Sequence, residues 1–292
     1  MINLIEQNLK EKLASVFLGS RVQLRFLKYS TPLSGTGAGN KVLFFIFKDD
    51  DIFPLWIAKT VRNYSDADVI RKGFERHQKL NSAAAGSEFS DMFPQALFVH
   101  DTGEEIWYIE TASNGRKARK DIDFKKILSA YTNFSQHLAC DLHEVLKIDV
   151  DYGTRIIEQL EGSAEIHKGL EKHLVGLWGR AVVSLPKVPQ HGDLTVDNVI
   201  IDDRSVRIVD CDTYGAIQIA GFDIFHLTSR SAPEKRERAI VAYFASLGIT
   251  APVDKKLLFI YFLHELLIKK DYILKGKTAA SVISSFEKMI VS

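Results

Sequence analysis

QHGDLTVDNVIIDDRSVRIVDCDTYGAIQIAGFD, residues 190–223, is the stretch whose reading settles the rest of the chain. Val199, Ile200 and Ile201 form one β-branched run and Val206, Ile208 and Val209 another. The polar group Asp202, Asp203, Arg204 and Ser205 separates them, which is the signature of a hairpin. With the turn centred between Asp203 and Arg204, Asn198 at the start lies opposite Val209 or Asp210 at the end, within one residue of register. A loop carrying His191, Gly192 and Asp193 runs straight into that hairpin. A carboxylate, a carboxamide and a second carboxylate are therefore expected at one end of a two-stranded ribbon. Asp210 and the amide oxygen of Asn198 suit Mg²⁺, which favours oxygen ligands and keeps several waters. Asp193 can then accept or orient the proton of an attacking hydroxyl.

HGD, an Asn shortly after it, a strand ending in Asp210 and a trailing GFD together resemble the catalytic and metal-binding core of the aminoglycoside phosphotransferase and choline kinase family. These are small-molecule relatives of the protein kinases. The resemblance implies ATP as phosphoryl donor, Asp193 as the catalytic Asp, Asn198 and Asp210 as Mg²⁺ ligands, and His191 as the brace of the loop. It also implies that Asp223 hydrogen-bonds the loop backbone. Cys211 and Asp212 follow Asp210 where protein kinases have Phe-Gly. Asp212 is open between a second metal contact and a solvated loop acid. The ending GFDIFHL departs from the GDPxxDLA of antibiotic phosphotransferases and resembles relatives encoded with bacterial surface-polysaccharide enzymes, which points to a sugar or glycan precursor as acceptor.

Upstream segments fall in kinase order. Strands are expected at Arg21 to Tyr29 and Val42 to Phe47, with Gly35, Gly37 and Gly39 between them in a loop able to approach phosphate closely. The next strand carries Trp56, Ile57, Ala58 and Lys59, similar to the V-A-I-K of protein kinases, where the Lys contacts the α- and β-phosphates. From Ser65, a candidate N-cap, to Leu80 the period is helical, and Glu75 is the expected partner of Lys59. A small-residue linker and a hairpin about Thr102 and Gly103 lead to Glu110 and Ala112. By resemblance, the Glu110 carbonyl and the Ala112 N–H would read the adenine edge. Asp121 to Lys147 reads as helix, and Tyr152 to Leu185, with Thr154 as a possible N-cap, as further helices. His143 near the end of the first reads as a packing or capping residue. Helices broken at Gly248 and Pro252 follow Asp223 and would shape the acceptor pocket.

The expected architecture is α+β: a two-lobe protein-kinase-like fold with a small antiparallel sheet lobe over 1–111 and a larger, mostly helical lobe over 112–292. A chain of 292 residues, 46% hydrophobic and 26% charged, has the material for both. Net charge of +1 gives no electrostatic case for a nucleic-acid partner. Cys140 and Cys211 are too few for a disulfide framework. The amphipathic N-terminal segment lacks a signal peptide's apolar core, and the apolar run from Leu257 is too short to span a bilayer, so a cytoplasmic protein is expected, with a buried helix favoured over membrane contact. The resemblance implies a small-molecule hydroxyl as acceptor, and a C-terminal region rich in Phe, Tyr and Leu without an acidic cluster argues against a polycationic aminoglycoside. A pseudokinase, or a protein kinase or nucleotidyl transferase on the same fold, are the alternatives. The absence of an A-P-E segment after Asp210 weighs against a protein kinase.

Overall fold

A computed structural model describes residues 1–13, 22–30, 41–140, 144–160, 162–202, 205–268 and 277–291. The chain divides into two compact units, 1–117 with 200–212, and 118–199 with 213–292. The expected division at residue 111 is thus corrected twice. It falls after Lys117, and the hairpin segment 200–212 joins the sheet unit. The cause is strand pairing: β6 (Arg116–Lys117) aligns antiparallel with β9 (Val199–Ile201), Arg116 opposite Ile201, and β10 (Val206–Ile208) completes a three-stranded sheet.

The sheet unit is built on five antiparallel strands, β1 (Leu24–Ser30), β2 (Lys41–Lys48), β3 (Trp56–Val61), β4 (Ala96–Asp101) and β5 (Ile106–Thr111), in the order β1-β2-β3-β5-β4. Side chains alternate between its faces. Val42, Phe44, Ile46, Trp56, Ala58, Trp107 and Ile109 cluster with Ile5 and Leu9 of α1 (Ile2–Lys12). Val61, Ile106 and Tyr108 cluster instead with Ala67, Ile70 and Phe74 of α2 (Ala67–Ala84). Fully burying an Ile contributes about 1.5–3 kcal/mol, and both faces do so, Ile46 and Ile109 on the α1 side and Ile106 on the α2 side. The second face carries Lys59 as well, because it lies two residues before Val61 on β3.

α2 begins at Ala67 with Asp66 at its N-cap, so the expected cap Ser65 lies in a preceding 3-10 turn. It runs on through Asn81 to Ala84, which the sequence placed in a linker.

The second unit is mostly helical: α3 (Lys120–Cys140), α4 (Val150–Glu158), α5 (Ala164–Trp178), α6 (Phe222–Leu227), α7 (Pro233–Ser246), α8 (Lys255–Ile268) and α9 (Ala279–Val291). Two expected helical stretches contain strands instead. β7 (Val145–Ile148) pairs antiparallel with β8 (Val183–Pro186), the β-branched Val145 and Ile148 of the first and Val183 of the second favouring the extended form. The cap of α4 is Asp149, whose carboxylate accepts from Tyr152 N–H at 2.9 Å, and Thr154 lies inside the helix. α8 is buried nearly all round, from Leu257 through Leu266, which marks it as the centre of this unit. No described helix is long and apolar enough to cross a membrane.

Candidate active site

In the sheet unit, β-strand alternation points Lys59 into a charged cluster on the α2 face. Lys59 is 3% exposed. Its Nζ stands 2.9 Å from Asp212 Oδ1, 3.2 Å from Glu110 Oε2 and 3.4 Å from Asp210 Oδ1. Lys41 Nζ, from the start of β2, reaches Asp212 Oδ2 at 2.7 Å, and Tyr108 OH donates to Asp212 Oδ1 at 2.5 Å. His77 of α2 places Nδ1 3.2 Å from Glu110 Oε2, while its Nε2–H donates to the Pro94 carbonyl at 2.7 Å.

Burial by itself would lower the lysine pKa values and raise that of Asp212. The opposite charges outweigh it: both lysines are raised, and Asp212 is held well below the ordinary carboxyl range. Lys41, Lys59 and Asp212 are therefore ionised at neutral pH. Asp210 differs from Asp212. Its side chain is 47% exposed, and its backbone turns through φ 60°, a left-handed conformation that a short polar side chain tolerates, just after β10.

This arrangement corrects three expectations. Glu75 is exposed and is not the partner of Lys59; it lies two residues past Gly73 on α2, on the far side of the face formed by Ile70, Gly73, Phe74 and His77. Ala112 N–H already donates to the Leu55 carbonyl at 2.9 Å, so it does not offer that donor to an adenine edge, while Glu110 stands opposite Ile57 in the β3–β5 pairing. What Glu110 contributes is its buried carboxylate. Asp212 is not a solvated loop acid, being 5% exposed with both carboxylate oxygens bonded. Gly35, Gly37, Gly39 and His143 lie outside the described residues.

In the helical unit, the loop before β9 is held from below by one acid. Asp223, fully buried at the start of α6, accepts the His191 N–H at 2.6 Å and the Gly192 N–H at 3.0 Å, and also the Tyr131 hydroxyl. Burial raises its pKa above the ordinary value, although the His191 charge and these donors pull the other way. Gly192 turns at φ 88°, and a Cβ there would lie 3.0 Å from the Thr213 carbonyl, so a side chain is excluded on both counts. His191, 1% exposed, lies inside the turn, its Nδ1 facing the Asp193 N–H at 3.4 Å.

The same turn presents the Asp193 carboxylate. His226 Nε2 lies 3.1 Å from Asp193 Oδ1, and Asn198 Nδ2 donates both to Asp193 Oδ2 at 3.1 Å and to the Asp193 carbonyl at 2.8 Å. Behind His226, Nδ1 stands 3.8 Å from Glu265 Oε1 of α8. Burial raises the Asp193 pKa, but the His226 hydrogen bond and the charges of His226 and His191 outweigh it and hold the carboxyl below its ordinary value. It is thus a proton acceptor held ready at neutral pH. The Asn198 amide donates with its nitrogen, so its oxygen is the atom of that side chain suited to a hard cation.

Taken singly, the half-exposed carboxylate of Asp210 in the sheet unit and the amide oxygen of Asn198 in the helical unit are hard oxygens of the kind that Mg²⁺ takes from protein. Among the described residues no group of three or more His, Cys, Asp or Glu side chains could hold a metal alone. Sequence reasoning missed Lys41, Tyr108, Tyr131 and His226. Only His226 left a signal, since it follows Asp223 by one helical turn and so shares its face of α6.

No family model and no curated protein matches the chain by sequence. Solved structures do. A Haemophilus somnus protein assigned as a fructosamine-3-kinase aligns over 99% of this chain and 97% of its own, with TM-score 0.63 and 13% identity. A choline kinase of Cryptosporidium parvum aligns over 99% and 95%, with TM-score 0.59 and 10% identity. An aminoglycoside phosphotransferase of Streptomyces rimosus, solved with ADP and streptomycin, aligns over 80% and 94%, with TM-score 0.52 and 15% identity. The chain has the α+β fold of the protein-kinase-like small-molecule phosphotransferases.

Proposed function

We propose that this protein is an ATP- and Mg²⁺-dependent phosphotransferase that moves the γ-phosphoryl group to a hydroxyl of a small molecule. The observation that carries the reading is the Asp193 carboxylate, held ionised by His226 and Asn198 on a loop whose backbone is fixed by Asp223. The acceptor oxygen attacks the γ-phosphorus as the bond from that phosphorus to the β,γ-bridging oxygen breaks, and the hydroxyl proton passes to Asp193. Lys59 supplies fixed positive charge to the phosphates, and Lys41 adds to the local field. Asp210 and the Asn198 amide oxygen are the residues that would hold Mg²⁺, whose chemistry is to neutralise charge developing on the phosphates. Because phosphoryl transfer asks little covalent chemistry of the protein, positioning of these groups carries the rate.

The Streptomyces rimosus protein of the same fold is solved with ADP, which supports a nucleotide as donor. For the acceptor we favour a sugar or glycan precursor, on the GFDIFHL ending of the motif. The purified protein is expected to consume ATP only with Mg²⁺ and with one acceptor class of a panel of sugars, choline, aminoglycosides and proteins. Consumption with proteins alone, or nucleotide binding with no turnover on any acceptor, would overturn the reading.

A further inference from the structure

We infer that Asp212 is the positioning residue of Lys59, taking the part that a helix glutamate plays in protein kinases, and that Gly73 is the gap in α2 that admits it. The inference rests on the phosphotransferase reading for its link to the nucleotide. A buried ammonium group needs a fixed counter-charge, or it loses its proton or its place. In this chain α2 provides no acid to do so. Glu75 is exposed, and the inward position is Gly73, where a Cβ would lie 3.3 Å from both Cβ and Cγ of Asp212. The space of a helix side chain is filled by a carboxylate arriving from the turn after β10.

The contacts of Asp212 are those of a restraint and not of a metal ligand. Its Oδ1 takes Lys59 and Tyr108, its Oδ2 takes Lys41, and its backbone carbonyl faces Arg76 Nη1 of α2 at 3.5 Å. A carboxylate offers about four acceptor sites, and these three side chains leave little for a cation. Asp210, two residues away, has the reverse profile, half-exposed with its Lys59 contact at the long distance of 3.4 Å. The two aspartates divide the work: Asp210 is open to an ion, and Asp212 is closed on the lysine. Glu110, at 3.2 Å, is a secondary restraint shared with His77.

The test compares wild type with Asp212→Ala, Asp212→Asn, Gly73→Ala and the double variant Gly73→Glu with Asp212→Ala, each checked by circular dichroism for fold. One readout needs no nucleotide: the rate at which acetic anhydride labels Lys59, followed by mass spectrometry. Labelling should quicken about five-fold or more in Asp212→Ala and in the shape-preserving Asp212→Asn, since a buried pair is broken in both. The second readout is calorimetric affinity for ATP with and without Mg²⁺. Asp212→Ala should weaken ATP binding about ten-fold whether or not Mg²⁺ is present, with the acceptor KM within about two-fold, and Gly73→Ala should do so in lesser degree. A glutamate supplied from the helix in the double variant should restore most of the loss. Unchanged labelling in Asp212→Asn, or a loss of ATP affinity seen only when Mg²⁺ is present, would overturn the inference. If wild type binds no ATP while Asp212→Asn still unlocks Lys59 labelling, the positioning role stands and the phosphotransferase reading falls.

Discussion

Two buried aspartates, one in each unit, solve the same problem in opposite ways. Asp212 in the sheet unit is surrounded by ammonium groups, which hold its carboxyl well below the ordinary range despite burial. Asp223 in the helical unit is surrounded by backbone N–H groups and a tyrosine hydroxyl, and burial leaves its carboxyl raised. Charge fixes charge at Lys59, whereas dipoles fix backbone at the His191 loop. The first suits a group that must remain a cation; the second suits a loop that must hold one carboxylate at a set position without neutralising it.

The largest effect that this contrast implies is on turnover. Asp193→Asn should lower kcat by about 10³-fold with ATP affinity little changed, as removal of a proton acceptor does, while Lys59→Ala should act chiefly on ATP affinity. Steady-state kinetics with calorimetry measure the two, and a shared pattern would break the division between charge-holding and base-holding regions. Next is Asp223→Ala, which strands the His191 and Gly192 N–H groups in a buried site and should cost about 3 kcal/mol in urea unfolding at neutral pH.

Third comes acid sensitivity. Burial alone depresses His264 of α8 to about 4, so the unfolded chain takes up its proton first. The stability that His264 contributes is complete above its ordinary value of 6.5 and is lost as pH falls toward 4. Unfolding free energy should drop by about 2 kcal/mol from this group between pH 7 and 5, and a His264→Phe variant should lack that drop. Over the same window the Asp212 contribution should hold, because its carboxyl remains ionised.

Smaller still, His226→Phe should lower kcat about ten-fold, in the range of a lost charge-assisted hydrogen bond. It should also move the acidic limb of kcat/KM to higher pH, because His226 is one of the groups holding Asp193 below its ordinary value. Glu75→Ala should change kcat/KM by less than about two-fold, as an exposed residue remote from Lys59 does. A large effect at Glu75 would return the lysine's restraint to the helix.

How legible each region was in the sequence follows from its range. The hairpin about Asp202 and Ser205, the strand that carries Lys59, and the apolar run of α8 are local patterns, and the structure contains them where the residues place them. The HGD turn is local too, so Asn198 meets Asp193 across a short loop. Glu75 failed because a helix face depends on its rotational phase, and two residues of phase turn an acid from inside to outside. β7 and β8 were too short for a period to show and are joined only by distant pairing. Asp212 was invisible for a related reason: nothing near it in sequence announces two lysines and a tyrosine that arrive from β2, β3 and β5.

That distance has a consequence for the order in which the molecule can be made. Lys59 and Asp212 are separated by 153 positions, and Lys41 and Asp212 by 171. A ribosome therefore completes all five strands of the main sheet, and much of the helical unit, before the carboxylate that locks the lysines exists. Until then the nascent sheet carries two cations on an inward face with Glu110 as the acid already in hand. The sheet unit is born with its lysines unlocked, and it closes on them only once Asp212 has been made.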